Sequence, residues 1–163
     1  MPARSRDEDT LSLMSAHEDI ARLMKEAAAS MKTDAKGAVA KLESAYALAR
    51  QTDVPDDAAV VAEELARGWA RRKSNARSLY YASKATKLAP AQRPAWTTLA
   101  KTCELVASRT RSETQQRRAR ALYRAAAIAF KQASSLTKDA EDKHWLLELA
   151  ADAARQSKPP KPT

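Results

Sequence analysis

The sequence predicts an all-α protein: about seven helices, packed as antiparallel pairs and stacked into a short superhelix. Three observations carry this. Only two glycines, Gly37 and Gly68, occur among 163 residues, and the apolar positions, 44% of the chain, are filled mainly by Ala and Leu, a composition that favours helix over sheet. Apolar residues recur three and four apart in segments bounded by proline or polar clusters, which is the helical period. Leu65-Ala66 and Leu99-Ala100 stand 34 residues apart, and a fixed period of that length marks stacked helical units.

The first helix is predicted over about 10–31, with Asp9 or Thr10 as its cap and Leu13, Ile20, Leu23 and Met24 on one face. MKTDAKG breaks the pattern, and a second helix over about 34–51 turns Ala38, Leu42, Ala45, Tyr46 and Ala49 inward. TDVPDD separates it from a third over about 55–73, carrying Val61, Leu65, Ala66 and Trp69, with Pro55 where a missing N–H costs nothing. Ser74-Asn75 divides this from a fourth over about 75–88, whose face is Leu79, Ala82 and Ala85. Pro90 biases Ala89 away from helical geometry, and Pro94 opens a fifth helix over about 93–108. Thr110 and Glu113 have the spacing of a capping box, which predicts a long sixth helix reaching about 136. Thr137 to Asp139 leads into a seventh over about 140–156, with Trp145, Leu146, Leu149 and Ala153 inward. The tips, 1–9 and 157–163, lack apolar anchors and are expected to be poorly ordered, leaving one helical domain over 10–156.

Composition excludes several classes. No stretch approaches the roughly 18 apolar residues of a membrane span, no apolar run behind the N-terminus suggests a secretory signal, and the lone Cys103 cannot form an intramolecular disulfide. A soluble, cytoplasmic protein without membrane contact is expected. His17 and His144 lie on different helices beside acids, in no ligand spacing. Cys103 sits on an apolar face and reads as core. Trp69, Trp96 and Trp145 fall on apolar faces and read as packing. Asp56 and Asp57 offset a helix dipole, and of Glu63 and Glu64 at least one is solvated. Two glycines so placed build no phosphate loop. The expectation is a non-enzyme with no cofactor, metal site or catalytic residue.

The residues resemble the tetratricopeptide repeat, a helix-pair family. A unit from Ala59 to Gln92 places Leu65, Ala66 and Trp69 on its first helix and Ser78, Ala82, Ala85 and Pro90 on its second. The next starts with Trp96, Leu99 and Ala100, has Cys103 where a larger aromatic is usual, and resumes its small-residue face only at Ala126, Phe130 and Ala133, so an insertion of roughly four helical turns is implied. The resemblance covers about 35–155 and implies a right-handed superhelix with a concave groove of first helices that takes extended peptides or helices of other proteins. The basic and amide clamp that some members use for C-terminal carboxylates has no counterpart, because Glu63 and Thr97 stand at those positions.

Charge then singles out the binding residues. Residues 1–66 hold 8 Lys/Arg against 13 Asp/Glu, whereas 67–131 hold 16 against 2, a net +14. Repeat position directs Arg67, Arg71 and Lys101 along the concave face. Arg117, Arg120 and Arg124, with Arg118 adjacent, form a second stripe on the sixth helix. Acids are too sparse here for ion pairs four apart to account for the pattern. The function expected is an adaptor or scaffold that holds an acidic peptide or protein segment in the groove through charge-assisted contacts. Two alternatives stand beside it. One is a nucleic-acid binder gripping phosphates, with Tyr80 and Tyr81 near Arg77 and Lys84. The other is an accessory subunit docking on a larger assembly.

Overall fold

A computed structural model describes residues 6–52, 54–110 and 112–159. Seven α-helices are present among them, and no strand: α1 (Arg6–Ser30), α2 (Ala35–Gln51), α3 (Pro55–Arg71), α4 (Asn75–Leu88), α5 (Arg93–Ser108), α6 (Gln116–Ser135) and α7 (Ala140–Gln156). Each packs against its neighbour in sequence, and α3 also touches α5. The result is a stack of antiparallel helix pairs, with α1, α3, α5 and α7 as one layer and α2, α4 and α6 as the other.

The punctuation works as local chemistry dictates. Asp34 accepts a hydrogen bond from the Gly37 N–H at 2.9 Å and Asp139 accepts one from the Asp142 N–H at 2.9 Å, capping α2 and α7. Pro55 and Pro94 sit in the first turns of α3 and α5. Between Leu88 and Arg93 the turn is clamped by the Trp96 indole, which donates to the Pro90 carbonyl at 2.8 Å. The end of α3 is a left-handed stop: Lys73 has φ 58°, its N–H bonds Ala70 O, and Ser74 N–H bonds Trp69 O.

Two boundaries differ from the sequence expectation. α1 begins at Arg6, so Arg6–Asp9 belong to the helix and neither Asp9 nor Thr10 caps it. α6 begins at Gln116 after a 3-10 turn, Glu113–Gln115. The Thr110 hydroxyl donates to Val106 O at 3.0 Å, closing α5 instead of opening α6, because a hydroxyl four residues on satisfies an orphan carbonyl. The extra length of this unit is thus divided: part lies in the connection after Ser108, and part in α6 itself, which has 20 residues against 14 in α4. Of the tips expected to be poorly ordered, residues 1–5 and 160–163 lie outside the described residues.

The core has two large clusters and a thin joint. Ile20, Val39, Leu42, Val61, Leu65 and Trp69 bind α1, α2 and α3 together. Phe130, Leu146 and Cys103, among alanines, bind α5, α6 and α7. Between these lie Ala62, Ala85 and Ala95, which let α3, α4 and α5 approach closely, and Leu79 of α4 packs against the second cluster. Tyr81 of α4 fills the wider opening of the second layer, meeting Tyr46 of α2 edge to face at 5.6 Å. Gly68 is needed for approach, not for backbone freedom: a Cβ there would stand 2.8 Å from Val39 Cγ2.

Candidate functional site

The odd-numbered layer forms a trough. A groove of about 400 Å3 runs between α3, α5 and α7, lined on its polar side by Arg67, Arg93 and Lys101 and on its apolar side by Leu105, Trp145 and Leu146. A second depression, between α1 and α3, is lined by Met24, Met31, Arg67 and Arg71. Arg67 borders both depressions, Lys101 lines the first and Arg71 the second.

Their charge is another matter. The Arg67 guanidinium pairs with the Glu64 carboxylate, lies 3.6 Å from Glu63 Oε2 and donates to Thr98 Oγ1 at 3.2 Å. Thr98 in turn donates to Glu63 at 3.1 Å. This relay joins α3 to α5. Glu63 is only 6% exposed, and burial pushes its carboxyl above the ordinary value, against the pull of the Thr98 hydroxyl and Arg67. Arg93 is likewise paired with Asp142 across to α7. The expectation that ion pairs along the helix could not account for the cations fails at Arg67, because the two acids just before the basic block lie one turn back on α3. Arg71 and Lys101 form no ion pair with a described residue. Lys101 Nζ stands 5.7 Å from the centre of the Trp145 ring.

Trp145 corrects a second expectation. It is 47% exposed rather than packed, since α7 is the last described helix and turns Leu146, not Trp145, into the core. Trp69 and the half-buried Trp96 do pack. Cys103 is buried in the α5–α6–α7 cluster, and that burial pushes its thiol up to about 11. His17 meets Asp57 Oδ2 at 2.8 Å on the surface, and His144 lies beside Glu148. Nothing in the sequence pattern of α7 separates Trp145 from its buried neighbours; only its place at the end of the stack does.

The second set of cations lies elsewhere. Arg117, Arg118 and Arg124 are exposed and Arg120 half-buried on α6, in the other layer, so the structure does not join them to the trough. Arg117 and Arg118 lie in the first turn of α6, which packs against α5. They stand at the edge formed by the ends of α3 and α5 and the starts of α4 and α6. Arg72 and Arg77 lie 4.6 and 4.2 Å from the centre of the buried Trp69 ring at that edge. Arg109 donates to Asn75 Oδ1 and to Ala70 O, both at 3.1 Å, tying the end of α5 to the α3–α4 corner.

No protein-family model and no curated protein matches this chain. The trough and the edge therefore speak for themselves.

Proposed function

We propose that the protein is a non-catalytic, repeat-type binding module, a divergent relative of the tetratricopeptide family, whose trough holds an acidic segment of another protein. The observation that carries this reading is the exposed Trp145 ring beside Lys101, on the wall of a groove that also offers Leu105. An aromatic anchor next to an ammonium suits a segment that places an apolar side chain beside a carboxylate. Arg71 extends the positive charge along the trough toward α1. Arg67 and Arg93, already neutralised, act as the rigid frame that keeps α3, α5 and α7 in register.

A displayed peptide library selected on the purified protein tests this. Selected peptides should carry Asp or Glu next to Leu or an aromatic residue. Trp145→Ala and Lys101→Glu should each weaken them about ten-fold or more, the cost of roughly 1.4 kcal/mol expected for an anchor. Peptides that bind both variants as tightly as the parent protein would place the site outside the trough.

A further inference from the structure

The edge is a surface in its own right and owes nothing to the trough reading. Arg72, Lys73, Arg77, Arg109, Arg117 and Arg118 are all exposed and gathered where α3 and α5 end and α4 and α6 begin. None of them forms an ion pair with a described acid, although elsewhere Arg22, Lys41, Arg67, Arg93 and Arg155 do. The opposite end of the stack mixes signs: Asp56, Asp57, Asp139, Glu141 and Asp142 stand at the starts of α3 and α7, with Arg50, Lys87 and Arg93 at the ends of α2 and α4 and the start of α5.

Three features indicate that the edge is built rather than incidental. Arg72 and Arg77 are fixed over the Trp69 ring, and Arg109 is fixed by two hydrogen bonds; their side-chain freedom is spent before any ligand arrives. Lys73 occupies a left-handed backbone position that glycine would occupy with less strain, so a cation stands there at a cost to stability. Trp69, the ring beneath Arg72 and Arg77, is buried, so it offers no face on which an unpaired base could stack.

We propose that this edge grips the phosphate backbone of double-stranded DNA without reading its bases. Fixed guanidinium groups and ammonium groups donate only, which suits phosphate oxygens. A duplex offers regularly spaced charge with its bases already stacked, so it needs no aromatic platform. An acidic polypeptide offers carboxylates at lower charge density and would lose chain entropy on lying across these six cations.

Fluorescence anisotropy with a labelled 20-base-pair duplex tests the proposal. Affinity should fall about 10³-fold between about 50 and 200 mM salt, as for roughly six phosphate contacts. Arg117→Ser/Arg118→Ser should weaken binding about ten-fold or more and lower the salt slope by about 2. Lys73→Gly should lower the slope by about 1 while the protein becomes more stable, so its loss cannot be ascribed to unfolding. Lys131→Ser/Lys138→Ser removes equal charge toward the other end of α6 and should change affinity less than about three-fold, and Trp145→Ala should leave it unchanged. The proposal is overturned by no binding at 50 mM salt, by an equal loss in the Lys131/Lys138 variant, or by tighter binding of poly-glutamate, single-stranded DNA or duplex RNA. Loss of peptide binding in Trp145→Ala with DNA binding retained would show the two surfaces to be independent.

Discussion

At the scale of single residues, Lys73, Glu63 and Cys103 each make a measurable statement. Lys73 closes α3 with φ 58°, a conformation that costs a side-chain-bearing residue about 1 kcal/mol relative to glycine. Lys73→Gly should therefore raise stability by about that amount in equilibrium urea unfolding; a decrease would mean that its side chain stabilises the corner. Glu63 is held above the ordinary carboxyl value of 4.5 chiefly by burial. The folded protein binds this proton more tightly than the unfolded chain, so the group's contribution is fully present below that value and is lost as pH rises through the higher folded one. Glu63→Gln should flatten the stability curve over that window, leaving a residue of the same sign from Glu104, also raised by burial. Urea midpoints taken from about pH 4 to about pH 7 check it. Cys103, pushed up to about 11, holds little thiolate at neutral pH. Its alkylation should be slow and track unfolding; rapid labelling of the native protein would reveal opening of the α5–α6–α7 cluster.

At the scale of elements, α7 decides whether the second cluster is closed. It contributes Leu146, Ala150 and Ala153 against Phe130 and Ala126 of α6. Leu146→Ala should cost about 3 kcal/mol and lower the melting temperature by about 10 °C, measured by circular dichroism. A negligible change would mean that α7 is loosely docked. Helix positions were largely legible because each apolar stripe is cut by a proline or polar cluster whose local chemistry acts within a few residues. The start of α6 was not legible. Thr110 and Glu113 have capping-box spacing, yet the Thr110 hydroxyl bonds back to Val106, and which neighbour a hydroxyl chooses depends on where the chain turns next. The pairing of Arg67 with Glu64 was readable in principle, three apart on one helix; the bond that fixes Glu63, to Thr98 on another helix, was not.

At the scale of the molecule, the alanine joint is thin. Ala62, Ala85 and Ala95 bring α3, α4 and α5 together, and the Glu63–Thr98–Arg67 relay and the Arg109 bonds add polar ties. In a stack, stability is a sum of units and nearest-neighbour joints. Hydrogen exchange should accordingly resolve two protection groups, α1 to α4 and α5 to α7, and Ala85→Leu, which overpacks the joint, should widen the gap between them. A single group with uniform protection would show that the joint couples the halves fully. The sequence by itself determined the all-α class, the number of helices and most of their limits, because period, proline and cap chemistry act locally. It also determined that the positive charge is concentrated in the middle of the chain. Only the tertiary structure decided which cations are spent in internal pairs and which stand free, that Trp145 faces a groove, and that arginines from α4, α6 and two helix ends meet at one edge. Those facts depend on contacts between residues some 30 to 50 positions apart, and no local pattern encodes which of two equally basic residues will find an acid across the fold.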